Sequence, residues 1–125
     1  MLKEAKEVCP TSTQGLVRDG ALLVDVREPS EVEAVAFDVP NIVNIPMSQL
    51  EQRWSELPRD RKLVMVCQTG ERSLKATYFL QFHDYENVAN MSNGLEKWVR
   101  RGFPIKGNPA AIVTSGNVPT SCCSS

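Results

Sequence analysis

The chain is predicted to fold as an α/β protein, an open parallel sheet of about four to five strands with helices on both faces. Three observations carry this. Short apolar runs alternate with amphipathic stretches four times along the sequence, the pattern of a parallel sheet covered on both faces. One of the runs, Ala21 to Val26, has the pattern of a strand buried on both faces. The length, 125 residues with 42% hydrophobic and 23% charged side chains, suits one compact domain able to bury its own core.

The elements follow in order. Thr11 to Arg18 reads as a short helix, with Thr11, Ser12 or Thr13 as cap and Gly20 just past its end. Ala21 to Val26 is the first strand. Glu28 to Phe37 opens with a proline and acidic residues, both signals of a helix start. Asn41 to Ile45 is a second strand, ended by Pro46. Met47 to Pro58 reads as a helix with Ser48 and Glu51 in a capping box and Leu50, Trp54 and Leu57 on one face. Lys62 to Cys67 is the third and most continuous strand. Arg72 to His83 is a helix with a stripe of Leu74, Tyr78 and Phe82. Asn87 to Met91 is a fourth strand, and Asn93 to Gly102 a last helix with two arginines in its final turn. One domain over residues 1–106 is expected. Residues 107–125, rich in Gly, Asn, Pro, Ser and Thr, read as a flexible tail ending in a Cys-Cys pair.

The net charge of −1 offers no bulk attraction for nucleic acid or an anionic membrane. No apolar run reaches the length of a membrane span, and "MLKEAKEVCP" has no signal-peptide core, so a cytoplasmic location is expected. Four cysteines, at 9, 67, 122 and 123, lack the setting of a disulfide framework. With His83 the only histidine and no C-x-x-C pair, no metal is expected, nor an organic cofactor.

The chemistry concentrates in "VMVCQTGERS". Ligands of open parallel sheets bind outside the carboxyl ends of the strands, and Cys67 stands at one. Thiolate is the reactive form of cysteine, and an ordinary thiol titrating near about 8.5 holds little of it at neutral pH. Three neighbours favour the thiolate of Cys67. Gly70 permits a loop that turns its N–H groups inward, the helix start aims its positive end at the loop, and Arg72 adds a full charge. Glu71 opposes them unless it points outward. Ser73 can bond the sulfur or cap the helix. No His/Asp pair is present as a general base, so a thiolate attacking a soft sulfur fits better than strong proton transfer. The persulfide so formed is an anion suited to a ring of amides. The plain alternative is a small buried residue at a strand end with Gly70 merely making a turn.

At these residues the sequence resembles the rhodanese family of sulfurtransferases, over about Thr11 to Lys106. "LLVDVREPSEVE" is similar to its first strand and Asp-x-Arg-Glu motif, here Asp25, Arg27 and Glu28. "IVNIPMSQL", "VMVCQTGERSLKAT" and "NVANMSNGLEKWVRRGFPI" are similar to its Asn-Ile-Pro segment, its active-site loop and its closing segment with Gly94, Trp98, Gly102 and Pro104. The resemblance implies a rhodanese-like fold and a catalytic Cys67. It makes Gln68, Thr69, Gly70, Glu71, Arg72 and Ser73 the persulfide-binding loop, and Asp25 and Arg27 salt-bridged supports. A six-residue loop from Cys67 to Arg72 matches the sulfur-transferring branch, not the phosphatases with one residue more.

The sequence departs from the family in carrying Phe37-Asp38-Val39 where a Gly-His-Ile is usual, and Asn93-Gly94 for a double glycine. Gln68 replaces a base common in thiosulfate-using relatives, and both Gln68 and Glu71 lower the local positive charge. The implied partners are a small sulfur donor, thiosulfate or polysulfide, and a thiol or protein-cysteine acceptor, with cyanide as a convenient one in assays. The alternative is a rhodanese-like module that carries sulfur or docks partners without turnover. A thiol enzyme acting on phosphoesters or arsenate is a third reading, disfavoured by loop length. Cys122 and Cys123 read as relay thiols, as ligands for a soft ion, or as incidental. Cys9 is expected as a plain surface or N-terminal thiol, His83 at a helix C-terminus, and Trp54 and Trp98 on apolar helix faces.

Overall fold

The computed structural model describes residues 4–108. The elements are β1 (Lys6–Val8), α1 (Pro10–Arg18), β2 (Leu22–Asp25), α2 (Pro29–Ala34), β3 (Val35–Phe37), β4 (Ile42–Asn44) and α3 (Met47–Arg53) with a 3-10 turn, Trp54–Glu56. After these come β5 (Leu63–Val66), α4 (Glu71–Phe82), β6 (Val88–Met91), α5 (Gly94–Arg100) and β7 (Ile105–Gly107). Five parallel strands lie in the order β1-β6-β5-β2-β4. β3 and β7 pair antiparallel as a separate ribbon.

The sheet carries an apolar cluster on each face, as an α/β sheet with helices on both sides requires. Alternation along β5 sorts its side chains. Leu63, Met65 and Cys67 join Ala76 and Leu80 of α4 and Leu50 of α3. Val64 and Val66 join Val17 of α1 and Leu95 and Trp98 of α5. The period of two therefore turns Cys67 toward α4.

Several expectations needed correction. The stretch Glu28–Phe37 is not one helix: α2 stops at Ala34, and Val35–Phe37 leaves as a strand held by β7. Burial of Val35 and Phe37 against Trp98 outweighs continuation of the helix. Gly107, placed in the tail on composition, is the last residue of β7. The charged segment Lys6–Val8 is a sheet edge on β6. Ser48 does not cap α3, because its hydroxyl bonds the Glu28 carboxylate at 3.0 Å. The reciprocal bond that marks a capping box closes α2 instead, with the Glu28 N–H donating to Glu31 at 3.0 Å. Phe82 is 71% exposed, and the packed face of α4 is Ser73, Ala76, Thr77 and Leu80. Cys9 is buried, not at the surface.

His83 ends α4 as expected and stacks on Trp54 at 4.1 Å between ring centres. Among the described residues no helix is long and apolar enough to cross a membrane.

Candidate active site

The loop after β5 closes around the Cys67 sulfur. The backbone N–H of Gly70 donates to Sγ at 3.0 Å and that of Ser73 at 3.3 Å. The Ser73 hydroxyl lies 3.3 Å from the same atom. The sulfur sits beside the N-terminus of the twelve-residue α4, whose first-turn amides have no partners within the helix. Two N–H donors, one hydroxyl and a helix N-terminus thus converge on one buried sulfur. Donors converging in this way form a polar cradle suited to a negatively charged group.

The loop's shape is imposed from outside it. Gly70 caps α4 with φ of +98°, a conformation that L side chains rarely adopt. The N-terminus of α5 docks on the opposite side: the N–H of Leu95 bonds the Cys67 carbonyl at 2.9 Å, and that of Glu96 the Gln68 carbonyl at 3.1 Å. Gly94 makes this approach possible, because a Cβ there would lie 2.4 Å from the Gln68 oxygen and 2.5 Å from that of Cys67. Asn90 of β6 reaches across to donate to the Gly70 carbonyl at 3.2 Å and to Glu7 at 3.0 Å.

The remaining loop residues divide. Thr69 and Glu71 are exposed, so Glu71 faces solvent. Gln68 is half-buried and donates to Glu96 at 3.3 Å. Arg72 does not stand as an unopposed charge. Its two terminal nitrogens bond the two oxygens of Glu31, each at 2.8 Å. The hydrogen bond from Arg72 is the largest cause holding the Glu31 carboxyl down at about 2, from an ordinary 4.5, with the Glu28 N–H assisting. Glu31 in turn raises Arg72 further above its usual range.

Asp25 and Arg27 form a second pair, 2.9 Å apart and almost wholly buried. Arg27 donates its Nε and Nη2 to the Asp25 carboxylate and its backbone N–H to the same group at 3.0 Å. Asn44 ties the Asp25 and Arg27 carbonyls together, at 2.9 Å each. Since Asp25 pairs in register with Val66, this block stiffens the strand end next to Cys67.

Glu31, Asn90 and the docking role of Gly94 escaped the sequence reading. Asn90 had a signal, since a polar residue in the middle of a wholly apolar strand needs partners. Glu31 had a weaker one, three residues after Glu28 at a helix start. Cys122 and Cys123 lie outside the described residues. Among those described, no three His, Cys, Asp or Glu side chains gather as a metal set.

Comparison with known proteins bears on what this geometry serves. A family model described as a Rhodanese-like domain matches residues 10–101. A protein of Allochromatium vinosum named "Sulfurtransferase" is 37% identical over 87 residues, 70% of this chain and 79% of that protein. "Thiosulfate sulfurtransferase GlpE" of Pseudomonas syringae pv. syringae is 31% identical over 103 residues, 82% of this chain and 94% of that protein. Among solved structures, a rhodanese-related protein from Thermoplasma volcanium superposes with a TM-score of 0.73 at 28% identity, covering 82% of this chain and 99% of the other.

Proposed function

The chain belongs to the rhodanese-like domain family, and on that premise we propose that it is a sulfurtransferase whose nucleophile is Cys67. The thiolate attacks the outer sulfur of a donor. With thiosulfate, a Cys67 S–S bond forms, the donor S–S bond breaks, and sulfite leaves with the electron pair. The negative charge then rests on the outer persulfide sulfur. A thiophilic acceptor attacks that sulfur, and the thiolate is regenerated.

The convergence of two amides and a hydroxyl on the Cys67 sulfur carries this reading. Donors already aimed at an anion need no reorganisation when the charge arrives. The names of the Allochromatium and Pseudomonas relatives support it, and the second of them supports thiosulfate as a donor. Gln68, Thr69, Glu71 and Arg72 shape the rim, while Asp25 and Arg27 hold the strand end. Acceptors of this chemistry are small thiols or protein cysteines, and no step needs a metal or organic cofactor.

One observation favours a second reading, a sulfur carrier that does not turn over thiosulfate: the cation at the rim is neutralised by Glu31.

Intact mass after incubation with thiosulfate or polysulfide tests the proposal. With thiosulfate, wild type should gain about 32 Da per sulfur, lost on adding cyanide, and Cys67→Ser should gain none. Loading that survives Cys67→Ser would refute it. Loading by polysulfide with no thiocyanate released from thiosulfate would select the carrier.

A further inference from the structure

We infer that Glu31 is a specificity-determining residue for the sulfur donor, holding Arg72 in a neutral pair so that the rim does not reward a dianion over a donor of lower charge. The inference rests on the sulfurtransferase reading and deepens it.

The charges around the loop support it. Arg72 ends the loop, its side chain is 38% exposed, and it lies close enough to Cys67 for the two charges to act on each other. Each of its terminal nitrogens donates one N–H to Glu31. A bidentate pair of this kind fixes the guanidinium plane and offsets its charge. Glu31 is itself held from behind by the Glu28 N–H at 3.0 Å, so the carboxylate does not swing away freely. The second cation of the region, Arg27, is consumed by Asp25. Gln68 is neutral and Glu71 is acidic. Among the described residues, both of these cations are thus paired with a carboxylate.

The cradle proper is made of backbone amides and one hydroxyl, which suit a single negative charge on sulfur. Thiosulfate brings two charges, and its sulfonate end must lie outside the cradle, near the rim. With the rim neutral, that end gains no ion pair.

The test compares two donors that break the same kind of S–S bond. Thiosulfate is a dianion that expels sulfite. Methanethiosulfonate, CH3SO2S⁻, is a monoanion that expels methanesulfinate. Rate constants for Cys67 loading are read by mass for wild type and for Glu31→Gln, Glu31→Ala and Glu31→Gln/Arg72→Gln. Removing the partner charge should raise thiosulfate loading about tenfold. Methanethiosulfonate, with half the charge, should gain no more than about threefold. The double variant should lose the preferential gain for thiosulfate over methanethiosulfonate that Glu31→Gln shows, whatever its overall loading rate. The gain in Glu31→Gln should shrink on raising NaCl from 20 to 300 mM, roughly one Debye length replacing another.

In wild type, thiosulfate loading should hardly fall over the same salt range, which tests the neutral rim even if a variant does not fold. A steep fall in wild type overturns the inference. So does equal thiosulfate loading in wild type and a folded Glu31→Gln, or a loss of loading with both donors, which would make Glu31 a support for loop geometry. Wild type that loads from neither donor would remove the sulfurtransferase reading itself, and the inference with it.

Discussion

The backbone N–H of Gly70 points at the Cys67 sulfur from 3.0 Å, while Gly70 itself holds φ at +98°. The donor and the left-handed angle belong to one turn, and glycine adopts that angle without the penalty a Cβ would bring. Gly70→Ala should cost about 1–3 kcal/mol, the range for a side chain forced into such a conformation. Its Cβ would also meet the Asn93 nitrogen at 2.9 Å. Urea unfolding reads the cost. Sulfur loading at Cys67 should slow in the same variant, because the cradle loses a donor, and an unchanged rate would show that this amide does not matter.

Gly94→Ala should be worse. Three backbone atoms of Cys67 and Gln68 lie within 2.5 Å of the added carbon, and none can yield without moving the loop. The hydrogen bonds from Leu95 and Glu96 would be pulled apart with it. A loss of at least about 3 kcal/mol is expected, with sulfur loading abolished. Gly20→Ala is the control. It has a similar φ of +102° but open space around it, and should cost only about 1–2 kcal/mol.

Asp25→Ala leaves Arg27 charged and almost wholly enclosed. Such a broken buried pair costs about 3–5 kcal/mol. The double variant Asp25→Leu/Arg27→Met removes both charges and should recover much of that stability. Thermal melts distinguish the two cases. Recovery of stability without recovery of sulfur loading would assign the pair a part in the site beyond support.

Acid should weaken the fold through Glu31. Its carboxyl titrates near 2 when folded and near an ordinary 4.5 when free, so the unfolded chain binds the extra proton first. The contribution is complete above about pH 4.5 and is lost as pH falls toward 2. Urea midpoints between pH 5 and 2.5 should fall less steeply for Glu31→Gln than for wild type. Parallel slopes would mean that the Arg72 pair adds nothing measurable to stability.

The alternating pattern determined the parallel sheet, the helices on both faces and the place of Cys67 at a strand end. Each of these follows from periodicity along neighbouring residues, which is local. The same holds for Gly70, whose neighbours announce a turn and a helix start. What lay beyond reach came from contacts across the chain. Glu31 meets Arg72 from 41 residues away, and Asn90 reaches Gly70 from 20. The end of the helix at Ala34 was decided by pairing of Val35–Phe37 with Ile105–Gly107, a strand near the far end of the described chain. The sequence by itself singled out Cys67 and the loop after it, because a thiol, a glycine and a helix start stand within seven residues. Only the tertiary structure decided the charge at the mouth of that loop, because a guanidinium's effect depends on which carboxylate the fold brings within 2.8 Å of it.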